Sequence, residues 1–368
     1  MSDLLYKTID TTIVVLHVKL VEPIKFSIYQ LESVHEETFM NKIVVGILVP
    51  PIYSHKPRPS EFPIASALQQ LDSKGVLTVF GFELISKNNS VWINGQCIKN
   101  NQFKPIEHEL DIIHDRFPSQ IRNAHFQQLQ SIAQHIPFGN PYSITLLCRD
   151  KLACQRLLER HHCIMPEVVA DFSLFRSALC DWGQGFLKPR YGALGTGVSL
   201  VNESSLLTPT IEGVVPGKQE PTLLQRGIDA PTGWAGMSVR QLMQRSEDGS
   251  WICRTAVLRR SKENSVVNVA RGAEAVPAKD FLPTYTMTEM TQKGLRVCDV
   301  LSAQPEGQYA VEFGLDFVID SNYQPWLIEV NSRPRGRLET LALRYPDRFQ
   351  DEHIAACTQP IRYLASLC

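Results

Sequence analysis

Residues 314 to 331 read Gly-Leu-Asp-Phe-Val-Ile-Asp-Ser-Asn-Tyr-Gln-Pro-Trp-Leu-Ile-Glu-Val-Asn, and this stretch decides the fold. Two apolar runs flank Asp320-Ser-Asn-Tyr, a composition that turns a chain back on itself, so a hairpin is predicted. Strand side chains alternate faces. Glu329 and Asn331, two apart, are therefore predicted on one face with Leu327, and Ile328 and Val330 on the other. Asp316 on the partner strand falls across from the first pair once the hairpin closes. Phe313, Leu315, Phe317, Trp326 and Ile328 make the ribbon largely apolar. An edge hairpin with water-facing acids would share the spacing, but acids in so apolar a ribbon need partners. Two carboxylates and an amide oxygen form a hard, all-oxygen set that suits magnesium.

The rest of the chain sets the frame. At 368 residues with 43% hydrophobic and 20% charged, it has room for two or three domains with real cores. A formal net charge of −1 gives no field that would select nucleic acid or a membrane surface. The apolar stretches, such as Ile43 to Pro51, are too short to span a bilayer. No signal-peptide pattern opens the chain, and nine scattered cysteines without a Cys-x-x-Cys pair predict reduced thiols in the cytoplasm.

Residues 12–29 alternate as an antiparallel strand pair, and residues 42–49 read as a buried strand. A helix over 62–73 stops at Lys74-Gly75 and leads into a strand at 78–85. A hairpin is expected to turn at Asn94-Gly95. These elements predict a small α/β domain with a parallel core. Helices are expected over 119–135 and 150–162. Short strands at 185–189, 197–201 and 222–225 follow, then long strands at 237–244 and 250–260 joined across Glu247-Asp248-Gly249. A helix at 286–301 precedes the hairpin, and helices fill the tail from Arg337.

A second motif is Phe186-Leu-Lys-Pro-Arg-Tyr-Gly-Ala-Leu-Gly-Thr-Gly-Val. It sets Lys188 at a strand end, with Gly192, Gly195 and Gly197 free to bring main-chain N–H groups to an anion. It lacks the Gly-Lys-Ser/Thr ending of a Walker A loop, and a plain hairpin explains the glycines equally well. Cys148-Arg-Asp-Lys-Leu-Ala-Cys starts a helix with Asp150 as its cap and Lys151 in the first turn. Leu223-Leu-Gln-Arg-Gly-Ile-Asp ends a buried strand with Gln225, Arg226 and Ile228. Arg240, Arg254, Arg259, Arg260 and Arg271 punctuate the second half, and Ser332-Arg-Pro-Arg-Gly-Arg follows the hairpin.

Together, the Asp…Glu-x-Asn pattern, the lysines and the glycine turn resemble ATP-grasp enzymes such as D-alanine–D-alanine ligase. The phrase Trp326-Leu-Ile-Glu-Val-Asn-Ser-Arg-Pro resembles more closely the YheC/YheD family of endospore coat-associated ATP-grasp proteins. The resemblance covers about residues 110–345. It implies an ATP-grasp fold, α/β and α+β: a small α/β pre-grasp domain with the N-terminal strands at 1–145, a first grasp subdomain at 146–225, and a second at 226–368 with the C-terminal helices. It implies ATP held by Lys151, Lys188, Gly192, Gly195, Gly197, Gln225, Arg226 and Ile228. Two magnesium ions, or manganese in their place, would sit on Asp316, Glu329 and Asn331. Arg240, Arg259, Asn268 and Arg333 would face the transferred phosphate or the acceptor.

The activity implied is ADP-forming ligation of a small-molecule or peptide carboxylate to an amine through an acyl phosphate. Phosphorylation of a small molecule on the same scaffold, or a spore-coat protein that binds nucleotide without turnover, are the alternatives. A homodimer and a spore-coat association are carried as open partners. The chain departs from the family in three places: Gln225 replaces a common glutamate, Gly314 stands where D-alanine–D-alanine ligase has an arginine, and Ser332-Arg-Pro-Arg-Gly-Arg stands where the YheC/YheD pattern usually has a lysine or small residue, which implies an unusually acidic substrate.

Overall fold

Why residues 43–48 become the middle of a sheet follows from their composition: Ile-Val-Val-Gly-Ile-Leu carries no polar side chain, and Val44, Val45, Ile47 and Leu48 are all buried. Such a run, apolar on both faces, belongs at the centre of a parallel sheet. The computed structural model describes residues 42–49, 65–100, 102–116, 129–191, 196–204, 221–267, 273–334 and 338–368, with the Phe82 side chain excepted. The strand pair expected at 12–29, most of the helix at 119–135, and Gly192, Gly195, Asn268, Arg271, Arg335 and Arg337 lie outside the described residues.

The first sheet contains β1 (Ile43–Leu48), β2 (Val76–Lys87), β3 (Ser90–Lys99), β4 (Gln102–Glu109), β5 (Ile112–Asp115) and β6 (Phe138–Gly139), with helix α1 (Ala65–Ser73) after β1. Its order is β4-β3-β2-β1-β5-β6. Strands β2, β1, β5 and β6 run parallel, and β3 and β4 add antiparallel ribbons to one edge. The expected hairpin at Asn94-Gly95 is not there. Strand β3 runs straight through both residues, and the reversal falls at Asn88-Asn89, where φ is +48° and +67°. Gly95 serves close approach instead: a Cβ on it would stand 2.2 Å from the Phe80 carbonyl oxygen.

Helices α2 (Tyr142–Arg149) and α3 (Lys151–Arg160) lead to a second sheet of β7 (Val168–Val169), β8 (Gln184–Pro189), β9 (Ser199–Asn202) and β10 (Thr222–Arg226), in the order β7-β10-β8-β9. All its pairings are antiparallel. Helix α4 (Phe175–Trp182) covers it, packing Phe175 and Leu179 against Leu187 and Leu224.

The third sheet holds β11 (Gly236–Arg245), β12 (Trp251–Cys253), β13 (Val257–Ser261), β14 (Glu274–Pro277), β15 (Glu312–Ile319) and β16 (Pro325–Asn331). The order is β14-β13-β11-β15-β16, with β12 on the far end of β11. The single strand expected at 250–260 is thus two, interrupted at residues 254–256, where Glu352 takes the Thr255 amide and hydroxyl at 2.7 Å each. Helix α5 (Thr284–Ser302) sets Met290, Val297 and Leu301 against Met243, Phe313, Leu315 and Phe317. Helices α6 (Glu339–Arg344) and α7 (Pro346–Ala365) end the chain, and α7 returns Ile361 and Leu364 to the core of the first sheet beside Val45 and Ile112.

The hairpin β15–β16 turns at Asp320–Tyr323 as read from the sequence; the Asp320 carboxylate accepts the Asn322 and Gln324 amides at 2.8 Å each. Its register corrects one expectation. Asp316 pairs with Glu329 but Phe317 pairs with Leu327, so Ile328 is an extra residue in a β-bulge. The bulge inverts the alternation beyond it. Leu327 joins Phe317 in the core at 1% exposure, and does not share the face of Glu329 and Asn331.

Candidate functional site

The bulge also builds the site. With Arg240 opposite Asp316 and Asp316 opposite Glu329, three charged residues form one row across β11, β15 and β16. Asp316 is 6% exposed. Arg240 clamps it with both nitrogens of its fork, Nε to Oδ1 at 2.7 Å and Nη2 to Oδ2 at 2.6 Å. Arg259, from β13, adds Nη2 to Oδ1 at 2.5 Å, and Asn331 Nδ2 reaches Oδ2 at 3.0 Å. Burial by itself would raise the carboxyl pKa; the charges and hydrogen bonds of Arg240 and Arg259 outweigh it and hold Asp316 below its usual range.

Glu329 is paired instead with Lys151, Nζ to Oε1 at 3.4 Å. Lys151 is placed by a local device legible in the sequence: Asp150 caps α3 by accepting the Ala153 amide at 3.1 Å. A second device is not legible there. Arg190 grips Asp150 with a bidentate contact at 2.7 and 2.6 Å, and its carbonyl accepts the Lys151 amide. The only signal for it is position, since Arg190 sits two residues after Lys188 and so faces the same way.

Lys188 is buried on β8. Its ammonium donates to Gln225 Oε1 at 2.8 Å and approaches the Ile328 carbonyl at 3.5 Å. Gln225 is fixed in turn by Gln155 Oε1 at 3.3 Å. The acceptor oxygen of Gln225 is thus already turned onto a lysine. Arg226 lines the same cleft, its amide spent on the Glu167 carbonyl and its side chain on the Glu167 carboxylate at 3.1 Å. Ile228 is another wall. Gly197 has φ +71°, and a Cβ on it would stand 3.0 Å from Pro189 Cγ, at the end of the strand that carries Lys188.

Arg333 stands apart from the acids of the row. It pairs with Asp115 at 2.7 Å, the guanidinium 8% and the carboxylate 1% exposed. Asp115 is the last residue of β5, so this pair ties the carboxyl end of the first sheet to the end of the hairpin. Burial lowers the Arg333 pKa, with Asp115 opposing. Nothing in the sequence marks Asp115, because an acid at a strand end looks like any solvated residue.

These residues line one cleft of about 690 Å³ between the second and third sheets. Among the described residues, six cationic side chains (Lys151, Lys188, Arg226, Arg240, Arg259 and Arg333) face it against three acids, Asp229, Asp316 and Glu329. Arg226 and Arg333 are paired with Glu167 and Asp115 outside the lining, which leaves four cations against three acids, a small positive surplus.

Residues 144–367 fit the model of the YheC/D-like ATP-grasp family. The chain belongs to that family. Among solved structures, the YheC/D-like chain is similar to D-alanyl-alanine synthetase A from Vibrio cholerae, with a TM-score of 0.56 at 14% identity over 88% of this chain and 99% of that one. It is also similar to the VanG D-Ala:D-Ser ligase from Enterococcus faecalis (0.54, 11%, 88% and 98%). A third is the N5-carboxyaminoimidazole synthetase from Staphylococcus aureus complexed with ADP (0.53, 16%, 86% and 78%). At these identities the likeness establishes the ATP-grasp fold, which is the architecture expected from the sequence. No curated protein matches the chain in sequence. No helix among the described residues is long and apolar enough to cross a membrane.

The residues can be tested against the magnesium that this family implies. Among the described residues no three acidic, histidine or cysteine side chains converge as a metal cage. Asp316, Glu329 and Asn331 do share one face, and two carboxylates with an amide oxygen are the sparse, hard donor set that Mg²⁺ accepts when a ligand's oxygens complete its shell. Asn331 turns its nitrogen to Asp316, which leaves its oxygen on the other side. The donors fit a hard divalent ion in kind, with Asp316 engaged by arginine. The absent arginine at Gly314 has a spatial explanation: a Cβ there would meet Pro334 Cβ at 2.9 Å and Arg240 Nη1 at 3.2 Å, so the guanidinium of Arg240 fills that place from the neighbouring strand.

Proposed function

We propose that this YheC/D-like chain is an ADP-forming ligase that joins a carboxylate to an amine, using ATP and a divalent cation. The observation that carries the reading is the row Arg240–Asp316–Glu329 with Lys151, Lys188 and Arg259 around it, on one cleft. That set holds no serine, threonine or cysteine, and its acids are paired with its cations; it is a positioning and charge-neutralising apparatus, which is what phosphoryl transfer needs. ADP and ATP complexes among the fold neighbours support the nucleotide.

Lys151 and Lys188 would hold the phosphates together with main-chain N–H groups at Gly192, Gly195 and Gly197, and Gln225, Arg226 and Ile228 would wall the base. Asp316, Glu329 and Asn331 would hold magnesium, or manganese in its place. The bound ion would neutralise developing charge on the transferred phosphoryl group. Arg240 and Arg259, which now hold Asp316, would turn to the same charge. A substrate carboxylate oxygen attacks the γ-phosphorus as the bond to ADP breaks. The amine then attacks the acyl carbon, phosphate leaves with the carboxyl oxygen, and the nitrogen gives up one proton. Arg333, already neutralised by Asp115, would position the acceptor end more than bind a charge, and Asn268 is a further candidate.

The test is product analysis. ADP release should require both a carboxylate and an amine, and mass spectrometry should find the amide. Phosphate on a hydroxyl product, or ADP release without any amide, would overturn the ligase reading.

A further inference from the structure

Asp316 is the most heavily engaged carboxylate in the cleft. Its two oxygens receive four hydrogen bonds: two from Arg240, one from Arg259 and one from Asn331, none longer than 3.0 Å. An ionised carboxylate offers about four lone-pair positions, and four are taken. Glu329, by contrast, is 26% exposed in its side chain and holds one lysine at 3.4 Å. One acid of the row is open and the other is sealed.

We infer that Arg240 and Arg259 stand in for the divalent ion, and that metal reaches Asp316 only after a polyphosphate draws these arginines away. The inference rests on the nucleotide reading of the cleft. Two guanidinium groups share one buried carboxylate, so the group carries a surplus positive charge that a phosphate chain would satisfy. Once the arginines turn to that chain, Asp316 is left buried without a counter-charge, a strongly disfavoured state. A divalent ion removes that cost. Polyphosphate and metal therefore strengthen each other's binding, by the same factor in both directions. A permanent structural ion pair would behave differently: the arginines would stay, and metal would reach Glu329 and Asn331 without regard to nucleotide.

Arg259 is the residue to change: its loss frees one of the positions taken on Asp316 Oδ1 and removes one of the two opposing charges, while Arg240 still gives the buried carboxylate a partner and so keeps the sheet intact. Free Mn²⁺ can be counted by electron paramagnetic resonance in titrations of the full chain without nucleotide. Arg259→Gln should bind Mn²⁺ about tenfold more tightly than the wild type, a gain where loss of a ligand-binding residue ordinarily brings none. Arg259→Lys, which keeps a charge but not the planar fork, should gain less. Adding Asp316→Asn to Arg259→Gln should erase the gain. With EDTA present, a non-hydrolysable ATP analogue should bind Arg259→Gln about tenfold more weakly than wild type. Circular dichroism and melting temperature establish that each variant is folded.

Equal Mn²⁺ affinity in wild type and Arg259→Gln overturns the inference, as does a gain that persists without Asp316. If the manganese gain appears but no chain binds the analogue, the nucleotide reading has failed and release by polyphosphate falls with it. If the analogue binds normally but the gain is missing, only the arginine exchange has failed.

Discussion

Lys188 Nζ lies 2.8 Å from the side-chain oxygen of Gln225, and both residues are buried where β8 meets β10. The neutral partner is what matters. Burial lowers the lysine pKa from 10.5 to about 8, with Glu329 opposing and Lys151 adding to the drop. A glutamate at position 225, the commoner family choice, would have held the charge on.

The first prediction follows from that value. Nucleotide affinity should fall as pH rises through about 8, where Lys188 loses its proton, and binding near that pH should take up protons. Calorimetry in buffers of different ionisation enthalpy reads both. For stability the sign is opposite. The unfolded lysine titrates at 10.5 and the folded one lower, so the unfolded chain binds more protons in between, and stability rises with pH across roughly 8 to 10.5. The melting temperature of wild type should gain on that of Lys188→Met across this window and run parallel to it below.

Glu329 carries the open half of the row. Mg-ATP at a hundredfold excess over its Kd should stabilise the wild type by about 2.7 kcal/mol, seen as a rise in melting temperature. In Glu329→Ala that rise should vanish while the ligand-free melting temperature moves little, because the Lys151 contact is long and partly exposed. An unchanged Mg-ATP shift in the variant would remove Glu329 from the site.

The Asp115–Arg333 pair is buried on both sides. Asp115→Asn should cost about 3–5 kcal/mol in urea unfolding, since it strands a buried guanidinium. The double change Asp115→Leu with Arg333→Met should cost clearly less than the two single changes added together. Additive costs would show that the two residues do not interact.

Gly95 and Gly249 make an informative contrast. A Cβ at Gly95 would stand 2.2 Å from the Phe80 oxygen, so Gly95→Ala should destabilise by about 2–3 kcal/mol. Gly249 has φ +83° with nothing within 4 Å, so Gly249→Asn should cost about 1 kcal/mol or less. The same urea series checks both.

Much of the site is legible in the sequence. The hairpin, its turn at Asp320 and the shared face of Glu329 and Asn331 all follow from alternation and turn chemistry, and the Asp150 cap follows from its place before Lys151. The bulge at Ile328 does not, because Trp-Leu-Ile-Glu-Val alternates equally well whichever residue is pushed out of register. Asn94-Gly95 misleads for a related reason. The dipeptide favours tight turns, yet here the glycine answers a carbonyl on the neighbouring strand, which no local rule can see.

What the sequence by itself determined is the inventory and its facing: apolar runs that must be strands, acids two residues apart, lysines at a strand end and a helix start. Only the tertiary structure decided the partnerships. It gave Asp316 to Arg240 and Arg259, Glu329 to Lys151, Lys188 to Gln225, and Arg333 to Asp115. Periodicity fixes which way a side chain points from its own backbone. Charge pairing depends on distance through space, and that is set by strand register and by packing between segments far apart in the chain.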